Sequence, residues 1–200
     1  MKNYLFINGK KIYLTDEQVR ELMEDNTKLA DITAGETFKI GDREFIVLEH
    51  LEAGTAVITK DIIRKMAFGS ENNDFRESNV KDCLAEFGDE MAKIVGSENL
   101  VEHTVDLTSD DGLKDYGAIS AYISMLTAEM YRRYVHILDA HKIGRWWWLA
   151  TPHSTSTHEN SNWVKCVSPH GVISYDIYIS DDSGVRPFCI LKSDIFVSKT

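Results

Sequence analysis

Cysteine and proline are both scarce in this sequence, with three of each in 200 residues. Cys83, Cys166 and Cys189 are too few and too scattered for a disulfide framework, and no Cys-x-x-Cys pair marks a zinc site. Basic residues are also in the minority. There are 22 Lys and Arg against 32 Asp and Glu, for a formal net charge of -10. Contact with nucleic acid needs a basic face that replaces phosphate counterions, so this balance speaks against a nucleic-acid partner. No apolar run approaches the roughly 20 residues of a membrane span, and no membrane partner is expected. The opening Met1–Gly9 stretch lacks the apolar core of a secretion signal, so a reduced, cytoplasmic setting is the expectation. Also missing are a Ser-His-Asp order, a phosphate-cradling glycine loop and a His-Glu-x-x-His helix. No internal repeat stands in the chain.

What is present reads as globular: 43% hydrophobic and 27% charged residues, enough for one large domain or two small ones. Asn8-Gly9 between two β-prone runs predicts a hairpin. Thr15 with Gln18 predicts a capping box and a short helix, followed by a polar stretch near Asp25–Asp31. Residues 1–30 therefore read as an appendage and residues 35–200 as the main domain. Thr37–Ile40, Glu44–Leu48 and Ala56–Thr59 predict a β-meander. Val80, Cys83, Leu84, Phe87, Met91 and Ile94 recur at helical spacing between Ser78 and Gly96, which predicts a helix over 79–95 with one core-facing side. Thr127 opens a second helix with Met130, Tyr131, Tyr134, Val135 and Leu138. Strands are expected at Trp163–Val167, Val172–Ile179 and Val185–Leu191. The fold class is α+β, a twisted antiparallel sheet with two main helices.

The last sixty or so residues also carry motifs. Trp147-Trp148-Leu149 followed by Thr151-Pro152, and Gly184-Val185-Arg186-Pro187 after it, resemble the W-W-L-x-S/T-P and G-V-R-P segments of a bacterial and phage domain family of unknown function. Leu126–Tyr131 resembles that family's L-L-S-x-x-E-x-x-Y helix start with the tyrosine one place early, and the helix from Ser78 falls where the family has its S-x-[IV]-R-x-W-L-N segment. The resemblance spans roughly residues 35–195. It implies a C-type-lectin-like fold, similar to formylglycine-generating enzymes and to the variable proteins of diversity-generating retroelements, with occurrence in phages and gut bacteria. In that fold Trp147, Trp148, Gly184 and Arg186 are structural and the loops between them form the working surface, here residues 150–184. Ala150-Thr151-Pro152 stands where the family has Arg-Ser-Pro, so one charge is missing.

The resemblance therefore implies a non-catalytic binding protein that recognises a macromolecular partner, expected to be a protein. Its expected ligand contacts are Asn160, Asn162, Trp163, Tyr175, Asp176, Tyr178, Asp181 and Asp182, residue types that adaptable binding loops favour. Strand alternation puts Tyr175, Ile177 and Ile179 on one face and Asp176, Tyr178 and Ser180 on the other, more polar one, which makes Tyr178 the expected anchor. Two other functions fit single features. Glu86, Asp89, Glu90, Asp106, Asp110 and Asp111 would, if clustered, imitate phosphate as an inhibitor of a host defence nuclease does. Cys166 and Cys189, if adjacent, would permit formylglycine-generating-type oxidation. His153, His158 and His170 lack metal-ligand spacing, and Ser109–Gly112 lacks the alternating ligands of a calcium loop. Neither a metal nor another cofactor is expected.

Overall fold

The strands Gly54–Thr59, Trp147–Pro152 and Phe188–Leu191 are buried along their whole length and read as largely apolar runs, which is how a sheet covered on two sides is written. The computed structural model describes residues 4–7, 10–13, 15, 17 and 26–200. In chain order the strands begin with β1 (Tyr4–Ile7), β2 (Lys10–Tyr13), β3 (Asn26–Lys28), β4 (Thr37–Ile40), β5 (Arg43–Leu51), β6 (Gly54–Thr59) and β7 (Arg64–Lys65). Helix α1 (Asn79–Val95) follows, then β8 (Leu100–Val101), β9 (His103–Asp106), β10 (Ala118–Ala121) and β11 (Ile123–Ser124). Helix α2 (Ala128–Ala140) leads into β12 (Trp147–Pro152), β13 (Trp163–Val167), β14 (Ile173–Ile177), β15 (Gly184–Val185), β16 (Phe188–Leu191) and β17 (Phe196–Lys199). The class is α+β. No helix among the described residues is long and apolar enough to cross a membrane.

Two sheets carry the fold. The larger runs β11-β16-β6-β5-β4-β17-β3, with β8 also on β16; the smaller runs β14-β13-β12-β15-β7. Along β5, Phe45 and Val47 enter one core with Val80, Leu84, Phe87 and Met91 of α1, while Ile46 and Leu48 enter a second with Tyr131, Tyr134 and Leu138 of α2. The period-2 alternation of a strand thus deals residues to two cores, one under each helix. β12 repeats the pattern: Trp148 and Ala150 go to the first core, Trp147 and Leu149 to the second.

Both helices start where the sequence predicts, and α1 also ends there. The Thr127 hydroxyl accepts from the Met130 N–H, and Gly96, at φ 87, closes α1 as left-handed backbone favours. Ser78 sits at the α1 N-cap without capping it, because its hydroxyl donates to the Phe75 carbonyl instead. Gly88 interrupts α1 where a Cβ would stand 3.2 Å from Ile123 Cγ1. Ile94, expected in the core, is 55% exposed. It closes the apolar period one turn beyond Met91, beside Gly41 in the turn between β4 and β5.

The structure departs from the sequence reading at several further points. Asn26–Lys28 is not linker: β3 pairs with β17, and Leu29 beyond it is fully buried, so the main body begins near residue 26. β1 and β2 pair with Ile7 opposite Lys10, as a two-residue turn requires. That turn itself and the helix expected after the Thr15 capping box lie outside the described residues. The strand expected over Val172–Ile179 is shortened to β14. The strand expected over Val185–Leu191 is two strands, β15 in the small sheet and β16 in the large one. β15 also pairs parallel to β12, with Trp147 opposite Gly184, so the sheets are not wholly antiparallel.

The join between β15 and β16 holds the sheets together. Arg186 is 1% exposed and donates to the carbonyls of Thr59 (2.9 Å) and Lys60 (3.1 Å), with its guanidinium 5.0 Å from the centre of the Trp147 ring. Burial pushes this guanidinium down to about 10, which still leaves it charged at neutral pH. Gly184 does not occupy left-handed backbone, so an unusual turn is not the reason for glycine there. A Cβ at Gly184 would lie 2.6 Å from Ile62 side-chain atoms. Gly184→Ala should therefore lose ~1–3 kcal/mol from overpacking, and adding Ile62→Ala should recover part of it. Urea denaturation of the two single variants and the double variant measures this, and strictly additive losses would show that the contact does not matter.

Candidate functional site

Three of the expected contact residues meet at one place. Tyr175, Asp176 and Asp182 line an open cleft of about 550 Å³, and Lys65 and Trp146 complete it. It sits on the small sheet, whose edge strands are β14 and β7. Among the described residues no ion pair joins Lys65, Asp176 or Asp182 to another side chain. Two carboxylates and one ammonium are therefore available to a ligand between two aromatic rings.

Tyr175 is the fixed point of the cleft. Its ring is 51% exposed yet touched by three neighbours. His153 stacks on it at 4.8 Å, Trp163 meets it edge-on at 5.5 Å, and Lys165 Nζ lies 5.6 Å from its centroid. β13 and β14 cause this, since Lys165 stands directly opposite Tyr175 in their ladder. Lys165 is itself anchored by Asp110 at 3.0 Å, and Asp110 also takes Arg132 of α2 at 2.9 Å. Burial works against the charge on Asp110, but hydrogen bonds from Arg132 and Lys165 hold its carboxyl below the usual range.

The other expected contacts lie elsewhere. Tyr178, the expected anchor, is half-buried and packs against the first core. Its N–H donates to the Asn162 carbonyl and its carbonyl accepts from Gly69. Tyr175 and Ile179 are the exposed side chains, so the face expected to point outward at Tyr178 is the one that meets the core. Trp163 is half-buried as a support for Tyr175. Asn160 is half-buried, its N–H bonded to the Thr155 carbonyl, while Asn162 and Asp181 are exposed outside the cleft. Trp147 and Trp148 are buried in the two cores, with Trp148 Nε1 donating to the Met66 carbonyl at 2.9 Å. Trp146 and Lys65 escaped the sequence reading. Trp146 lies just outside the motif that begins at Trp147, and the two-residue strand β7 has no periodicity to find.

The polar loop 153–162 is largely occupied with itself. Asn73 is fully buried, and its Nδ2 donates to the carbonyls of Ser154 (2.9 Å) and Trp163 (2.8 Å) while Tyr116 donates to its Oδ1 (2.9 Å). One amide thus closes the neck of the loop. Asp111 takes the Ser154 hydroxyl at 2.6 Å and His158 Nδ1 at 3.0 Å, and Thr155 bonds Asp115. Thr151 accepts from the Ala128 N–H at 2.9 Å, covering one of the donors left open at the start of α2. Ala150, where the resembling family carries arginine, is fully buried.

The remaining constellations are also placed. His153 stacks on Tyr175, His158 rests on Asp111 and His170 is exposed. No group of three metal-ligating side chains converges among the described residues. Of the six acidic residues expected to form a phosphate-like face, Glu86 pairs with Arg64, Glu90 with Arg43, and Asp110 with Arg132 and Lys165. Asp106 and Asp111 are taken up by neighbouring hydroxyl groups. Such pairing weakens the outward field that phosphate mimicry needs. All three cysteines are buried and free. Burial pushes the Cys166 and Cys189 thiols up to about 12, away from the reactive thiolate. No protein-family model, curated protein or solved structure matches this chain.

Two outcomes follow for the loop. Asn73→Ala strands two carbonyls and a hydroxyl in the interior and should cost about 2 kcal/mol or more. Hydrogen exchange should accelerate across residues 154–162, whereas acceleration spread evenly over the chain would refute a local clasp. Burial opposes the charge on Asp111, but bonds from Ser109, Ser154 and His158 hold its carboxyl well below the usual range. A depressed folded value stabilises above the unfolded value of roughly 3.9 and is lost as pH falls through it. Exchange at residues 154–158 should therefore rise below about pH 4, and Asp111→Asn should make it already fast at neutral pH.

Proposed function

We propose that this chain is a binding protein of C-type-lectin-like fold that recognises a protein partner through the cleft around Tyr175. The observation that carries the reading is the combination of exposure and support at Tyr175, an open ring held from three sides. Tyrosine and tryptophan dominate the energetic centres of protein interfaces, and a ring that is already ordered loses little freedom on binding. Trp146, 39% exposed, supplies a second ring in the cleft. Asp176 and Asp182 between two rings suit a basic side chain from the partner, which would gain both ion pairing and cation–π contact. The resemblance to phage and gut-bacterial domains supports a partner from a bacterial cell.

The test is affinity capture from a bacterial lysate by wild type, Tyr175→Ala, Asp182→Asn and Tyr178→Ala, read by quantitative mass spectrometry. A partner of this cleft should fall at least ~10-fold with Tyr175→Ala, the ~1.4 kcal/mol of a modest hot spot. Asp182→Asn should lower it less, and most at low salt. Tyr178→Ala should lower the melting temperature instead, since that ring packs on the core. Equal capture by wild type and Tyr175→Ala would rule this cleft out as the binding surface.

A further inference from the structure

A second surface, independent of the Tyr175 cleft, has the chemistry of a peptide groove. It is an apolar channel of about 630 Å³ between α1 and the hairpin β9–β10. Leu84, Ala85, Gly88 and Ala92 of α1 form one wall, Ile119 to Ile123 the other, and Leu100 and Phe75 also line it. Tyr122, 51% exposed, stands on its rim.

The wall opposite the helix is an open strand edge. β10 pairs with β9 alone. Leu107 N–H donates to the Gly117 carbonyl, which fixes the phase of the ladder. Ile119 and Ala121, opposite Val105 and His103, fall in the positions that bond to β9. Ala118 and Ser120 fall in the alternate positions and turn their N–H and C=O groups outward. No described group takes them. Ile119 and Ala121 project their side chains toward the core while Ser120 is exposed, so an added strand would face its own alternate residues into the channel.

Charge fixes the direction of such a strand. Arg76 lies 5.3 Å from the Tyr116 ring, and Gly88 abuts Ile123, so the chain from 116 to 123 runs the same way as α1. Lys81 stands at the α1 N-terminal end of the channel, where the helix dipole is positive, and Asp89 and Glu98 stand toward the other end. A strand antiparallel to β10 places its C-terminal end at Lys81 and its N-terminal end at the two carboxylates.

We propose that the α1–β10 channel binds an extended peptide segment by antiparallel strand addition to β10. The segment alternates apolar residues that enter the channel, with an acidic residue or free carboxylate toward its C-terminal end and a basic residue or free amine toward its N-terminal end. Backbone bonding supplies affinity in this mode and the alternate side chains supply selectivity.

A phage-displayed library of random nonapeptides, selected on the whole chain, tests this. Enriched sequences should alternate apolar residues at every second position, with acidic residues toward the C-terminal side. A synthetic copy of the strongest binder should shift the Ala118 and Ser120 amide resonances and slow their hydrogen exchange. Ser120→Pro removes the outward donor without deleting a β9 ladder bond and should weaken that peptide at least ~10-fold, whereas Ser120→Ala should not; unchanged exchange at Ile119 and Ala121 in Ser120→Pro would show that the ladder is kept. Lys81→Glu should disfavour acidic C-terminal ends by several-fold. No enrichment, enriched peptides that bind Ser120→Pro as well as wild type, or protection confined to other strands would each overturn the proposal. A concentration-dependent dimer abolished by Ser120→Pro would assign the edge to a second copy of the chain and overturn it equally.

Discussion

A single buried cation ties the two sheets of this protein together. Arg186 sits at the point where the chain leaves the small sheet and enters the large one, and no carboxylate lies within ion-pair distance of it among the described residues. Its charge is offset by two carbonyl dipoles and the face of Trp147. Desolvating a cation is expensive, so this arrangement persists only because many contacts share it. Thr59 and Lys60 end β6, Trp147 opens β12, and Gly184 beside it lets Ile62 approach. Moving the guanidinium would strand carbonyls in the large sheet and unseat the tryptophan that reaches the second core.

The candidate cleft inherits its shape from that join. β15 lies parallel to β12 with Gly184 opposite Trp147, and the Gly184 N–H donates to the Trp146 carbonyl at 2.9 Å. Three consecutive tryptophans therefore part company. Trp147 and Trp148 go to opposite cores, and Trp146 is left at the surface beside Asp182 and Lys65. On the far side, the ladder of β13 and β14 sets Tyr175 over Lys165. The cleft is a consequence of how the sheet is closed, with Tyr175 on a strand and Trp146 immediately before one.

Local structure was legible because it rests on local causes. Periodicity and caps placed α1 at its observed bounds, Thr127 started α2, and β4 and β13 fall where alternation predicts. What stayed hidden depends on partners distant in sequence. Asn26–Lys28 looks like a polar linker until β17 is beside it. Residues 97–120 lack periodicity because their strands are short and half exposed. Arg186-Pro187 breaks an apparently continuous strand because a proline and a buried cation sit where the chain changes sheets. The loop 153–162 misled for a related reason: serine, threonine, histidine and asparagine are what a binding loop contains, and equally what a loop needs to satisfy its own backbone. Asn73 and Asp111 decide between those uses, and both lie at least forty residues upstream of the groups they bind.

That internal use of polar groups bears on what the surface can recognise. The Ser154, Thr155 and His158 side chains are committed to Asp111 and Asp115, so these three contribute shape to an interface more than hydrogen bonding. The same holds for the acidic excess: Glu49, Glu86, Glu90 and Asp110 are held by arginines, so a net charge of -10 spreads thinly as solubilising charge. Asp176 and Asp182 have no cationic partner among the described residues, and they line the cleft together with Tyr175 and Trp146. A carboxylate that keeps its hydration until a ligand arrives, next to a ring already fixed in place, is suited to reversible recognition. The ring supplies buried area at low entropic cost, and the carboxylates select the sign of what may approach.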